Sequence, residues 1–222
     1  MRAPFEEGPY FSSPAPETNE IGKDLFYRAL GYQKEGQYGS AIQSWQQYLK
    51  NSPRSYEGHN NLGLAYYDDD QLESGLKSLE SAHSLEPSET KIKSNLATVL
   101  RFKSRLLKDN QDYHGAIANL RRIAQLSDGE DRRLMELRVV ALQGKIFEQV
   151  KHANSVSAYQ DFIRLYPENY EKVEEAKKRI SLLQKKQPKV EFPDLNVGEE
   201  EGSFPENVRE ETFIQEETMT AP

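Results

Sequence analysis

An all-α fold assembled from repeated helical pairs is what this sequence predicts, and three observations predict it. Residues Leu25–Pro53 fall on His59–Pro87 after a shift of 34 residues. Ala29 lands on Gly63, Tyr32 on Tyr66, Tyr38 on Leu72, Ala41 on Gly75, Ile42 on Leu76, Trp45 on Leu79, Tyr48 on Ala82 and Pro53 on Pro87. Within each copy apolar residues recur at steps of three and four, the period of a helix face. A fixed period of about 20–50 residues marks repeat architecture, in which each unit buries its apolar face against its neighbours.

The bulk numbers agree. Of 222 residues, 36% are hydrophobic and 29% charged, which suits a thin shared core with unstructured ends. The net charge of −7 is uneven: residues 188–222 hold ten acids and two bases, leaving the remainder near neutral. Between Thr90 and Lys145 the balance reverses, with twelve Lys and Arg against six acids. No run of about 18 apolar residues is present, so no transmembrane segment is expected. The first residues lack the apolar stretch of a signal peptide. The expected location is the cytoplasm or a bacterial periplasm, with a lipid anchor in the second case if a native signal was removed. Cysteine is absent, which excludes disulfides and Cys-based metal or nucleophile chemistry.

In chain order, residues 1–20 are rich in Pro, Ser and Glu without helical period and read as a flexible leader. Regular structure starts near Ile21. Leu25, Ala29 and Tyr32 mark one face of a first helix. Gly36 permits a turn with positive φ. Ala41, Ile42, Trp45, Tyr48 and Leu49 mark the second helix, and Pro53 ends it. The small residues Ala29 and Ala41, and Gly63 and Gly75 in the second copy, are expected where two antiparallel helices cross. A third pair begins on schedule with Leu96, Ala97 and Leu100, but its second helix (Tyr113, Ala116, Ile117, Leu120, Ile123) arrives seven residues late. Seven residues are about two helical turns, so its first helix is expected to continue to about Asp109. A fourth pair is marked by Leu134, Leu137, Val140, Ala141, Gly144 and Phe147, then Ala158, Tyr159, Phe162, Ile163 and Pro167. A polar-backed helix over Asn169–Lys186, with Val173, Ala176, Ile180 and Leu183 on one stripe, closes the array as a cap. Residues 187–222 read as a disordered acidic tail whose spaced anchors Phe192, Leu195, Phe204, Phe213 and Ile214 suit folding on a partner, or back onto the basic third repeat.

This pattern resembles the tetratricopeptide repeat (TPR), most closely in the second copy: His59-Asn60-Asn61-Leu62-Gly63-Leu64-Ala65-Tyr66-Tyr67, then Gly75-Leu76, Leu79, Ala82 and Pro87. The first copy departs with Arg28 where Leu is usual. The resemblance implies a right-handed solenoid of about four helix–turn–helix units over residues 21–186. Residues Ala158–Ala176 are similar to repeat ends in TPR lipoproteins of bacterial envelopes, which implies a setting in envelope assembly.

In that family the first helices line a concave groove that binds peptides. The groove positions carried over are Lys23, Phe26, Leu30 and Gln33, then Glu57, Asn60, Asn61, Leu64 and Tyr67, then Lys91, Ser94, Asn95, Thr98, Arg101 and Phe102. Asn amides can pair with a peptide backbone and the apolar members can form pockets; packing of some against the leader or a neighbouring helix is the plainer alternative. Co-chaperones of the family hold a C-terminal carboxylate with a clamp of Lys, Asn and Arg. The clamp positions here read Phe26, Leu30, Asn61, Lys91 and Asn95, of which only Asn61 and Lys91 match, so that ligand is not expected.

The basic residues Arg101, Lys103, Arg105, Lys108, Arg121, Arg122, Arg132 and Arg133 suit a solvated helix face or an acidic peptide. The near-neutral body argues against nucleic acid. His59, His83, His114 and His152 show no metal-ligand spacing, Asp68-Asp69-Asp70 lacks the Gly and distant Glu of a calcium loop, and no phosphate, dinucleotide or nucleophile motif is present. No catalytic residue, metal or cofactor is therefore expected. The function expected is a non-catalytic scaffold for a protein or peptide ligand. A structural adaptor working through its convex face or capping helix, and an enzyme of unrecognised type, stay open as alternatives.

Overall fold

The computed structural model describes residues 9–186, and the acidic tail lies outside them. The described residues form nine α-helices and no strand: α1 Glu20–Lys34, α2 Tyr38–Asn51, α3 Tyr56–Asp68, α4 Leu72–Leu85, α5 Thr90–Asp109, α6 Tyr113–Leu126, α7 Gly129–Ala153, α8 Val156–Leu165 and α9 Tyr170–Lys186. None is long and apolar enough to cross a membrane.

Side chains start several of these helices as the sequence requires. Asn19, Ser55, Glu89, Asp112 and Ser155 each accept a first-turn N–H of the helix that follows. The turns inside the first three pairs share one construction. A residue with positive φ sits between the helices in each: Gly36 (75°), Asp70 (61°) and Gln111 (62°). The next amide then reaches back to the carbonyl of Tyr32, Tyr66 or Leu107. Only the first of these residues is a glycine. The other two hold the same left-handed backbone because the hydrogen bonds around them leave the chain no alternative path.

Helices α1 and α2, α3 and α4, and α5 and α6 pack as close pairs, and successive pairs are in contact through α2 with α3 and α4 with α5. The crossing of α3 and α4 is the tightest. A Cβ on Gly63 would lie 2.7 Å from Leu79 Cγ and 3.0 Å from the Gly75 carbonyl oxygen, and a Cβ on Gly75 would lie 3.0 Å from the Gly63 carbonyl oxygen. Ala29 and Ala41 occupy the same places in the first pair and are fully buried.

The long helix α5 ends at Asp109, as the seven-residue delay predicts. The delay also moves the crossing point. Each crossing joins residues twelve apart, Ala29 with Ala41 and Gly63 with Gly75, and twelve residues before Ala116 stands Ser104. Ser104 is buried and its Oγ donates to the Ala116 carbonyl at 3.1 Å. Ser104 therefore takes the small-residue place, and Ala97, in sequence register with Gly63, packs within the core one stretch earlier.

The fourth pair departs from the first three. Helix α7 packs chiefly on α6, and α8 chiefly on α9. The buried Gln143 of α7 ties this end together: its amide donates to Glu168 at 2.6 Å and accepts from Asn169 at 2.9 Å, while Arg121 of α6 also pairs with Glu168. Two core clusters result. One, around Phe26, Trp45 and Tyr48, has edge-to-face ring contacts at 4.7 and 5.2 Å; the other runs from Tyr67 to Ala176 and takes in Ile180 and Leu183 of α9.

Two stability predictions follow from this packing. Gly63→Ala is expected to lower stability by about 1–3 kcal/mol through overpacking, whereas Gly31→Ala, whose new Cβ meets nothing within 4 Å, is expected to raise it by about 0.5–1 kcal/mol; urea unfolding of the two variants checks the opposite signs. The second concerns pH. Burial and then the Lys93 charge lower the His83 pKa below its ordinary 6.5, and its buried Nδ1 has no partner. The unfolded chain thus binds more protons than the native one once pH falls below about 6.5. The His83 contribution is complete above that pH and is lost as pH falls through the native pKa. His83→Gln is expected to flatten the fall in melting temperature between pH 7 and pH 5.

Candidate functional site

The first helices of the three close pairs contact one another in succession, α1 with α3 and α3 with α5. On the face they share, α3 and α5 place three Asn side chains, Asn60, Asn61 and Asn95, with no more than 1% exposure each. Amides so far from water require partners, and the partner is the chain's own leader.

Residues 9–15 run as an extended strand over this face. Asn61 Oδ1 accepts the Ser12 N–H at 2.8 Å and its Nδ2 donates to the Ser12 carbonyl at 3.0 Å. One repeat away, Asn95 does the same for Tyr10, at 3.1 and 2.9 Å. An extended residue directs its N–H and C=O to one side, and its neighbours direct theirs to the other. Two Asn residues can therefore grip positions two apart and leave Phe11 between them untouched. Asn60 links the rungs. Its Nδ2 donates to the Tyr10 carbonyl (2.9 Å), the Asn61 Oδ1 (3.1 Å) and the Ser12 Oγ (3.2 Å), and its Oδ1 accepts from Asn95 at 2.9 Å.

Two side chains of the strand are also read. Ser12 is 2% exposed, so a larger residue has no room there. The Lys91 Nζ lies 4.6 Å from the centre of the Tyr10 ring, a cation–π distance. A rung on α1 would fall to Tyr27, which stands 34 residues before Asn61 and has no amide. Two residues beyond Ser12 the strand has Pro14, which has no N–H. Beyond this the chain turns, with Thr18 donating to the Ala15 carbonyl at 3.0 Å, and enters α1. A cleft of about 730 Å³ lies there, lined by Ala15, Glu17, Thr18 and the segment joining α2 to α3.

The expected groove positions divide into three sets. Asn60, Asn61, Lys91 and Asn95 touch the strand. Phe26, Gln33, Leu64 and Tyr67 are buried beneath the surface instead. Phe26 packs on Trp45 and Tyr48, Gln33 accepts from the Trp45 indole at 3.1 Å, and Tyr67 meets Phe102 edge to face at 5.8 Å. Leu30 is half-buried against the same core, Glu57 accepts from Ser55 at 2.8 Å, and Thr98 is buried. Lys23 pairs with Glu20 at 3.1 Å, and Ser94 is exposed. Position alone could not separate these sets, because a helix face directed at a groove and one directed at the next helix differ by a single side-chain direction.

The basic patch is likewise divided. Lys103 pairs with Glu73 at 2.8 Å, Arg121 with Glu168 and Arg122 with Glu80. Arg105 lies over the Phe102 ring at 5.4 Å. Arg105 and Lys108 join Arg101, Arg138 and Lys145 around a cleft of about 560 Å³ whose floor includes Leu120 and Leu142. Among the described residues, no group of three or more His, Asp or Glu side chains is placed to hold a metal ion.

The strand itself is what the sequence pattern missed. Its Pro and Ser content signalled the lack of a helix correctly, but an extended segment held by side chains leaves no period of its own. No family model matches the chain, and no curated protein matches it significantly.

Asn61→Ala is expected to leave the buried Ser12 N–H and carbonyl unpaired, weakening attachment of the strand by about 1–3 kcal/mol. Hydrogen exchange should show the Ser12 and Tyr10 amides losing protection by ten-fold or more while amides within α3 keep theirs.

Proposed function

We propose that this chain is a non-catalytic interaction scaffold, a TPR-like helical solenoid of about four repeats that holds an extended peptide in a concave groove. One observation carries the proposal above the rest: Asn61 and Asn95, one repeat apart, each grip both main-chain groups of an extended residue. Such contacts recognise peptide backbone independently of most of its sequence, the same mode by which a strand adds to a sheet edge. The three amides are costly to bury without a strand to satisfy them, which supports a groove shaped for an occupant. A bacterial envelope-assembly setting rests on the resemblance of Ala158–Ala176 alone.

The test is a random peptide display selected against the immobilised chain, with the triple variant Asn60→Ala/Asn61→Ala/Asn95→Ala as control. Peptides that bind the native chain are expected to lose at least about a hundred-fold in affinity on the variant, with the helical content of the variant unchanged by circular dichroism. Equal binding by both proteins would refute the groove.

A structural adaptor role is favoured by a different observation. Leu134, Leu137 and Val140 of α7 are 43%, 59% and 55% exposed. A partner bound there would be lost with Leu137→Ser/Val140→Ser and kept in the triple Asn variant.

A further inference from the structure

We propose that residues 9–13 are a tethered copy of the groove's ligand, so that the chain both specifies its partner's chemistry and competes with it. This rests on the groove being a peptide site. The strand reports the class of peptide that fits. It must be extended, with free N–H groups at two positions two residues apart, because Asn95 and Asn61 each need a donor as well as an acceptor. The earlier position takes an aromatic ring under the Lys91 ammonium. The later takes a small residue, for Ser12 is enclosed with its Oγ on Asn60. The residue between them and the one after are unconstrained by the amides. The ligand class is therefore an uncharged aromatic–any–small segment, with proline excluded from the first and third places.

Competition follows from the short connection. Only the residues between Ser12 and Glu20 join the strand to α1, and a tether of that length keeps the strand at an effective concentration on the order of millimolar. An external peptide must displace it from the same donors and acceptors, since each Asn amide is already engaged on both its atoms. Proline at positions 10 and 12 would remove both N–H donors and leave all nine helices untouched.

The experiment uses the full chain, the full-length variant Tyr10→Pro/Ser12→Pro, and a fluorescein-labelled peptide of residues 9–18 as probe. Fluorescence anisotropy is expected to show the probe binding the proline variant at least about ten-fold more tightly than the unsubstituted chain. A probe carrying Ser12→Trp should bind neither, and one carrying Tyr10→Ala should bind the variant more weakly. Should the proline variant lose cooperative melting, the strand is a structural lid and the proposal fails; Ser12→Trp in the full chain, which displaces the strand by size rather than by lost donors, must then melt in the same way. If display-derived peptides bind both chains equally, competition is refuted while the peptide groove stands. If those peptides bind the proline variant and the probe does not, the ligand class is refuted. If no peptide binds either chain, the groove itself is refuted and the proposal falls with it.

Discussion

A Cβ on Gly63 would come within 3.0 Å of the Gly75 carbonyl oxygen, and the reverse holds for Gly75, so the backbones of α3 and α4 touch. That contact decides more than the stability of one pair. It sets how deeply α3 sits relative to its neighbours and therefore where Asn60 and Asn61 stand relative to Asn95. A ladder of amides that must match an extended strand tolerates little error, because hydrogen bonds weaken steeply away from about 2.9 Å. The seven-residue extension of α5 shows the same constraint. The crossing moved along the helix to Ser104, and a hydroxyl bonded to the Ala116 carbonyl replaced a glycine, yet the start of α5 and its Asn95 kept the register of the preceding repeat.

The polar groups of the site obey the rule that burial demands partners. Asn60, Asn61 and Asn95 would each be expensive in a dry interior, and each is satisfied only because Tyr10 and Ser12 supply main-chain donors and acceptors. The network is closed through Asn60, whose Nδ2 has two hydrogens for three acceptors, so one of them is shared. Closed networks of this kind strengthen one another when complete and become costly when a member is lost. The strand is thus as much a part of the surface as the helices beneath it.

Charge plays a smaller part than the sequence pattern suggests. Of the cations concentrated in the third repeat, Lys103, Arg121 and Arg122 pair with glutamates of neighbouring elements. These pairs are substantially exposed, where ion pairs contribute little to stability. The cations around Arg138 and Lys145 gather instead at a cleft between α5 and α7, a juxtaposition set by the length of α5.

The amino-acid sequence alone determined the helices, the 34-residue spacing, the small residues at the crossings and the two extra turns of α5. Each of these depends on residues close in the chain or on a repeated pattern, and local propensity with periodic burial is enough to fix them. It determined too that Asn60, Asn61 and Asn95 belong to one surface, since positions a repeat apart face the same way. Only the tertiary structure decided that Phe26, Gln33 and Tyr67 turn into the core, that Ser104 replaces Ala97 at a crossing, and that Gln111 adopts a left-handed backbone. It alone decided that Tyr10 and Ser12 occupy the amide ladder. Those outcomes join residues up to 85 apart in the chain, through hydrogen bonds that any extended segment could make, and a backbone contact leaves no mark in the side chains that a sequence records.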